Sequence, residues 1–408
     1  MSKQRILAIG YAREGFGFGR VLQSLLQRLR DSYDVHQFEM TCTGNTQWPW
    51  QVYSNQMPED RFGERQLPQL VEAIQPDFIL LLAELWDVPR YIRLFRQFAS
   101  HIPLVAYCPL DGELKLYPYL ETLAELSLLV VYTEFARQQV LQAFARLKQN
   151  GRNLTPPNLA VIPHGIDTER FYPYHADFKV ARQMARAELF PTQPELHNAF
   201  IVFNGNRNQS RKRIDLTLKG FSLFAADKPD NVQLYLHMGM MDQGVNVIGL
   251  AKQYGIQSRL ICTTQGRPHP VVSDAELNLI YNACDVGLNS SAGEGWGLVS
   301  FEHAATGAAQ VVPNHSACRT LWPDAALMLN AQVSPLHNLP LILREVSPEE
   351  IAQALQRLYS DPTLRELLAS AAYRNATQPK LRWQEVVKQF ERVFQTLTMS
   401  RSDISAAA

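Results

Sequence analysis

Two glutamates in a glycine-rich setting are the first residues of this chain that could do chemistry. Residues 290–312 read SSAGEGWGLVSFEHAATGAAQVV, which places Glu294 and Glu302 eight positions apart, with Gly295, Trp296 and Gly297 directly after the first. The small residues predict a loop after an apolar strand and a helix that starts near Leu298. Glu294 then belongs to the loop and Glu302 to the early helix, at most about 12 Å apart along the axis. A helix start between them offers unpaired amide donors and the positive end of a dipole, which suits a diphosphate. Two carboxylates flanking a diphosphate suit two hydroxylated sugars, one glutamate for a hexose and one for a ribose. A simpler reading makes both of them ordinary helix-capping acids.

Cationic partners for such a ligand occur earlier in the chain. Arg207 closely follows the apolar run FIVFN at 200–204, and Lys212 comes five residues later. A guanidinium fork and an ammonium at the carboxyl end of a strand can reach a diphosphate and neutralise a departing nucleotide. Their neighbours Arg211 and Arg213 read as solvated surface. Residues 13–19, REGFGFG, form a second glycine-rich turn before a helix. Its spacing differs from the GxGxxG dinucleotide fingerprint, so Gly17 and Gly19 are candidates by position only. No D-x-D motif occurs, so a metal-bridged diphosphate would lack its usual ligands.

These residues need elements to hold them. The runs at 5–10 (RILAIG), 77–83 (DFILLLA), 104–107 (LVAY) and 128–132 (LLVVY) are continuous apolar strands, each followed by helical patterning. That alternation predicts a parallel sheet covered on both faces. Residues 153–174 carry Pro156, Pro157, Pro163 and Pro173 and read as a linker. Strand-like runs then resume at 200–204, 232–237, 260–263 and 286–289. The expected fold class is α/β, with two doubly wound, Rossmann-like domains facing across a cleft. The domains span 1–172 and 173–380, a C-terminal helix at 381–400 completes the first, and 401–408 form a tail. Ligands of such sheets bind at the carboxyl ends of the strands.

Composition narrows the class. The chain has 408 residues, 46% hydrophobic and 19% charged, with 39 basic and 39 acidic side chains. It is globular, large enough for two cores, and has no net field for nucleic acid. The five cysteines form no CxxC pair and no two of the ten histidines share a helical turn, which argues against a disulfide framework and a structural zinc site. The N-terminal apolar run is too short for a secretory signal, and no run reaches membrane-spanning length. A cytoplasmic protein is expected. Residues 86–96 and 135–148 mix aromatic and aliphatic residues with arginines. Such segments either lie on anionic lipid, giving peripheral membrane contact, or pack on a sheet, the commoner outcome.

The motifs together resemble family 4 retaining glycosyltransferases of the GT-B fold. Glu294-Gly-Trp-Gly-Leu followed by Phe301-Glu302-His-Ala-Ala-Thr-Gly-Ala resembles the family's EGFGL…E-A-x-A-x-G signature, with Trp296 in place of phenylalanine. Residues 162–173, IPHGIDTERFYP, resemble its I-x-N-G-V-D-x-x-x-F-x-P linker, with His164 in place of asparagine. Residues 273–286 resemble the E-L-x-x-L/I-Y-x-x-x-D-V segment, and 203–213 the G-R…K phosphate segment. The resemblance is dense over 128–313 and thin before it.

What the resemblance implies is a hexose-type transfer from a UDP-, GDP- or ADP-sugar to an acceptor hydroxyl, with retention at the anomeric carbon and neither metal nor cofactor. Its candidate catalytic residues are Arg207, Lys212, Glu294 and Asp111. Its donor-binding set is Gly17, Gly19, Gly205, Arg207, Lys212, Glu294, Gly295, Trp296, Gly297, Leu298 and Glu302. Many relatives carry a His-Asp pair where this chain reads Tyr107-Cys-Pro-Leu-Asp111, so the histidine is missing, and Asp111 either orients an acceptor or binds sugar, or only serves the turn before Gly112. The acceptor is a glycan, lipid or small molecule. A nucleotide-sugar epimerase and a non-catalytic donor-binding subunit are the two other readings.

Overall fold

The computed structural model describes residues 3–12, 17–40, 48–335 and 340–406, with side chains to 398. Arg13 and Gly15 of the first glycine-rich turn, Cys42 and the last two alanines lie outside the described residues. The chain divides into two compact units, Met1–Gly165 with Pro379–Ala408, and Ile166–Gln378. The crossover therefore falls at Gly165/Ile166, seven residues before the expected 172/173. Residues 166–172 account for this shift, because Arg170 pairs with Asp274 at 2.6 Å, the Phe171 ring meets that of Tyr281 at 5.6 Å and the Tyr172 N–H donates to Asn278 at 3.1 Å, all within the second unit. His164, just ahead of the boundary, packs into the first unit, its Nδ1 2.7 Å from the Tyr107 hydroxyl and its ring 3.9 Å from that of Tyr132. A Cβ on Gly165 would come within 2.3 Å of the Trp383 ring, so a glycine is required there.

The first unit is built on a seven-stranded, wholly parallel sheet. Its spatial order is Gln51–Ser54, Asp34–Glu39, Arg5–Gly10, Phe78–Leu82, Leu104–Cys108, Leu128–Val131 and Leu159–Val161. Three of the four runs predicted from apolar continuity are buried along their whole length, and the fourth, Arg5–Gly10, at all but its first residue. The edge strands Gln51–Ser54 and Leu159–Val161 were not predicted. Both are short and half-buried, so their sequences carry no apolar run. The order reverses between Arg5–Gly10 and Phe78–Leu82. The helix Gly17–Leu29 starts earlier than expected and takes Gly17 and Gly19 into its first turn, with Gly19 buried.

The C-terminal helix Trp383–Ala406 belongs to this unit. Phe394 stacks on Phe78 at 5.1 Å and meets Tyr33 edge-on at 5.5 Å, while Phe390 meets Tyr107 at 5.0 Å. Each fully buried phenylalanine contributes about 2–3 kcal/mol, enough to hold the helix on the sheet. The helix continues through Ala406, into the segment expected as a tail at 401–408. The amphipathic segments are also accounted for within the unit. Tyr91, Ile92 and Phe95 of the helix Val88–Phe98 are buried, and Arg96 pairs with Glu125 at 2.8 Å and Arg90 with Glu64. Helix Glu134–Gln149 buries Val140, Phe144 and Leu147. Among the described residues no helix is long and apolar enough to cross a membrane.

The second unit carries a six-stranded parallel sheet in the order Leu260–Cys262, Val232–Leu236, Phe200–Asn204, Val286–Leu288, Ala309–Pro313 and Leu327–Leu329. Its core joins Val202, Leu234, Val286 and Val311 to Ile214, Phe221, Ile351 and Leu355 of the covering helices. Asp285, just ahead of the central strand Val286–Leu288, is buried between two arginines of the helix Phe178–Leu189. Arg186 reaches it at 2.6 Å and Arg182 at 3.4 Å, and the Ile201 N–H donates to it at 2.8 Å. Burial alone would raise the Asp285 carboxyl, but the two guanidiniums outweigh it and hold it ionised. The order of this sheet reverses between Phe200–Asn204 and Val286–Leu288, so the loops after these two strands open into the crevice where ligands of such sheets bind.

Candidate functional site

Those two loops carry the residues singled out in the sequence. After Phe200–Asn204 the chain runs through Gly205 and Arg207 to a short turn at Ser210–Lys212, then enters the helix Ile214–Ala225. After Val286–Leu288 it runs through Asn289 and Glu294 to Gly297, which caps the helix Leu298–Ala304. Gly297 has φ +92°, a left-handed conformation that L side chains rarely adopt. A Cβ on Gly205 would sit 2.6 Å from the Phe203 ring and 3.3 Å from Val299, so the turn there also needs glycine.

A buried polar lattice joins the two loops. Asn204 Nδ2 donates to Thr217 Oγ1 at 2.9 Å, and Thr217 shares a 2.7 Å hydrogen bond with Ser290. Ser290 Oγ lies 3.0 Å from the carbonyls of both Lys212 and Arg213. The turn that carries Lys212 is thereby fixed to the segment that carries Glu294, and the two side chains meet. Lys212 Nζ is 2.6 Å from Glu294 Oε1. The same oxygen accepts from Ser291 Oγ at 2.8 Å and Asn289 Nδ2 at 3.2 Å, whereas Oε2 faces the Arg211 guanidinium at 3.9 Å. Burial by itself would raise the Glu294 carboxyl. The charges of Lys212 and Arg211, with the Lys212 and Ser291 hydrogen bonds, bring it down to about 2. The site thus holds a fixed anion ringed by cations, with one carboxylate oxygen saturated by hydrogen-bond donors and the other facing a guanidinium.

The remaining predicted residues fall in distinct settings. Arg207 is held by Asp242, Nε to Oδ2 at 2.5 Å and Nη2 to Oδ1 at 3.2 Å. Asn208, fully buried, fastens this turn to the neighbouring loop through the carbonyls of Gly239 and Val245 and the Val245 N–H. Glu302, on the helix Leu298–Ala304, is buried and accepts from the Tyr281 hydroxyl at 2.9 Å. Gly295 is buried and Leu298 half-buried at the helix start.

Trp296 turns its indole into the core, stacked on Phe301 at 4.9 Å, with Phe301 in turn 4.6 Å from Trp322. Any contact of Trp296 with a ligand is therefore left to its backbone. Arg211 and Arg213 are not the solvated surface that their sequence suggested. Arg211 donates to the Gly293 carbonyl, and Arg213 is held by Asp215 at 2.7 Å and by Glu345. Asp111, Gly17 and Gly19 belong to the first unit. There Asp111 is buried in the loop after Leu104–Cys108, while the two glycines open the helix Gly17–Leu29.

Asp242, Asn289, Ser291, His315 and Ser316 were not foreseen. Asn289 and Ser291 sit close to Glu294 in the sequence and could have been weighed with it. Asp242 reaches Arg207 across 35 residues, and nothing in its local sequence marks it.

No protein-family model matches the chain. Solved structures do match, over nearly its whole length. The sucrose-phosphate synthase of Thermosynechococcus elongatus superposes with a TM-score of 0.71 at 18% identity, covering 98% of this chain and 100% of that one. The crystal structure of Anabaena HepE in complex with UDP-glucose superposes with a TM-score of 0.69 at 15% identity, covering 96% and 99%. The chain has the GT-B fold. Curated relatives match parts of this GT-B chain. A mannosylfructose-phosphate synthase of Agrobacterium fabrum is 28% identical over 165 residues, 39% of this chain and 33% of the relative. A D-inositol 3-phosphate glycosyltransferase of Thermomonospora curvata is 25% identical over 258 residues, 62% of this chain and 54% of the relative. The GT-B chain thus spans about a third of one relative's length and about half of the other's. These likenesses bear out the glycosyltransferase resemblance read from the motifs.

Proposed function

We propose that this protein is a retaining, metal-independent hexosyltransferase that uses a nucleotide-diphosphate-sugar and delivers the sugar to a hydroxyl of a glycan, lipid or small molecule. The observation that carries the reading is the buried Lys212–Glu294 pair at the reversal point of the second sheet. One carboxylate oxygen there is saturated by donors. A UDP-hexose is the first donor to test, since HepE was crystallised with UDP-glucose. Among the described residues Cys108, Cys262, Cys284 and Cys318 are free, which suits a reducing cytoplasm.

In this reading Glu294 accepts hydrogen bonds from the hexose hydroxyls and Glu302 from the ribose. The acceptor oxygen forms its bond to the anomeric carbon on the face from which the diphosphate leaves. The bond from that carbon to the phosphate oxygen breaks, and the acceptor proton passes to a phosphate oxygen of the donor. Lys212 and Arg207 neutralise the charge that develops on the leaving group, the role a divalent metal plays in other transferases. Asp111 orients the acceptor, and no enzyme nucleophile is needed.

A thermal-shift panel of UDP, GDP, ADP and dTDP without metal, on wild type and Lys212→Ala, tests the site. A ligand at about a hundred times its Kd adds about 2.7 kcal/mol, a shift of several degrees. One nucleotide that stabilises wild type alone supports the reading, and no response from any of them contradicts it.

A further inference from the structure

One buried imidazole that the proposed reaction does not use lies directly behind Glu294. His315 follows the strand Ala309–Pro313 and is 4% exposed. Its Nε2 is 3.0 Å from the Ser291 carbonyl oxygen, and its Nδ1 is 3.0 Å from Ser316 Oγ. A carbonyl can only accept, so Nε2 carries a proton. Burial keeps the ring neutral by lowering its pKa to about 4, against the opposing pull of the Ser291 carbonyl and Glu294. Nδ1 is then an acceptor, and the Ser316 hydroxyl donates to it. The Ser316 oxygen is left to accept, and it does so from the Glu294 N–H at 3.1 Å.

One carbonyl thereby fixes every proton along the chain. The chain also closes on itself, because Ser291 Oγ donates to Glu294 Oε1 at 2.8 Å. The Glu294 carbonyl accepts from the Ala317 N–H at 3.1 Å. Ser316 is held at φ +44°, a left-handed backbone unusual for a residue with a Cβ. Strain of this kind persists where the surroundings fix the residue, here with its hydroxyl turned to Glu294.

We infer that His315 is a positioning residue that, through Ser316 and Ser291, holds Glu294 where its carboxylate meets the sugar of the donor. The inference rests on the donor-site reading of Glu294 above. It assigns His315 to the sugar and not to the diphosphate, because a displaced Glu294 leaves Lys212 still able to bind phosphate.

Calorimetric Kd values for UDP and for UDP-glucose, on folded wild type, His315→Gln, His315→Asn and Ser316→Ala, test this. His315→Gln keeps a donor for the Ser291 carbonyl but loses the acceptor at Nδ1. It should weaken UDP-glucose about tenfold, the effect of one lost hydrogen bond, and leave UDP within about twofold. His315→Asn puts an amide oxygen where Nδ1 stood and should recover most of the loss. Ser316→Ala should reproduce the His315→Gln pattern, and it carries the test if His315→Gln does not fold. Equal weakening of both ligands, or no weakening of either, overturns the positioning role. Wild type that binds neither ligand and none of GDP, ADP or dTDP overturns the donor site itself, and the positioning role with it.

Discussion

Lys212 Nζ and Glu294 Oε1 lie 2.6 Å apart although 82 residues separate them in the chain. The pair is almost wholly removed from solvent, and its members come from the loops after the two strands where the sheet order reverses. An isolated buried ion pair is seldom a source of stability, since desolvation offsets the attraction. This one keeps further donors on the same carboxylate, which is the arrangement expected of a preorganised binding site.

Removing either member should abolish transfer. Lys212→Ala takes away a charge at the leaving group, and Glu294→Gln takes away the acceptor charge while keeping the shape. A fall of about a hundred-fold or more in kcat is expected for each, the scale of one preorganised electrostatic contact. Initial rates with saturating donor check this, and rates near wild type from either folded variant refute the assignment.

Stability should fall in two steps as pH is lowered. His164 and His303 are held by burial at about 3, and His269 and His315 at about 4, all below the ordinary value of 6.5. The unfolded chain therefore binds more protons than the folded one from about 6.5 down to about 4 for His269 and His315 and to about 3 for His164 and His303, and stability drops as pH falls through that window. Glu294 acts lower. Its folded value of about 2 lies below the ordinary 4.5, so its contribution is present above 4.5 and is lost as pH falls towards 2. That contribution is on the order of 3 kcal/mol. Melting temperatures from pH 7 to 2.5 should show both steps, and the gap between wild type and Glu294→Gln should close only in the lower one. A flat profile between pH 6.5 and 4 contradicts the histidine account.

Asp242 should act on donor affinity through Arg207. It holds the Nε and Nη2 edge of the guanidinium, which sets the direction in which the other edge points. Asp242→Asn loses the charge-assisted pairing, and KM for the donor should rise about tenfold with a smaller change in kcat. Steady-state kinetics decide it, and an unchanged KM makes the Arg207–Asp242 pair purely structural.

The C-terminal helix should be essential to the first unit. Phe394 is fully buried against Phe78 and Tyr33, and Phe394→Ala should cost about 3–5 kcal/mol by leaving a cavity. Phe394→Leu should cost much less, and urea denaturation measures both. A loss below about 1 kcal/mol for the alanine variant would mean that the helix packs on the unit only loosely.

Local pattern was enough for much of this protein. Phe78–Leu82, Leu104–Cys108, Phe200–Asn204 and Val286–Leu288 were legible as strands because a strand buried on both faces needs an unbroken apolar run. The start of the helix at Leu298 was legible because Gly297 supplies the backbone freedom its cap requires. Glu294, Arg207 and Lys212 were legible as candidates because they lie in the loops after such strands, where ligands of these sheets bind, and Glu302 because of its eight-residue spacing from Glu294. Tertiary structure alone decided their partners. Lys212 meets Glu294, Arg207 meets Asp242 and Glu302 meets Tyr281, each across 21 to 82 residues. Strand order brings these loops together, and strand order leaves no trace in local periodicity. For the same reason sequence could not show that Trp296 faces the core, that Arg211 and Arg213 are held within the fold, or that His315 stands behind Glu294.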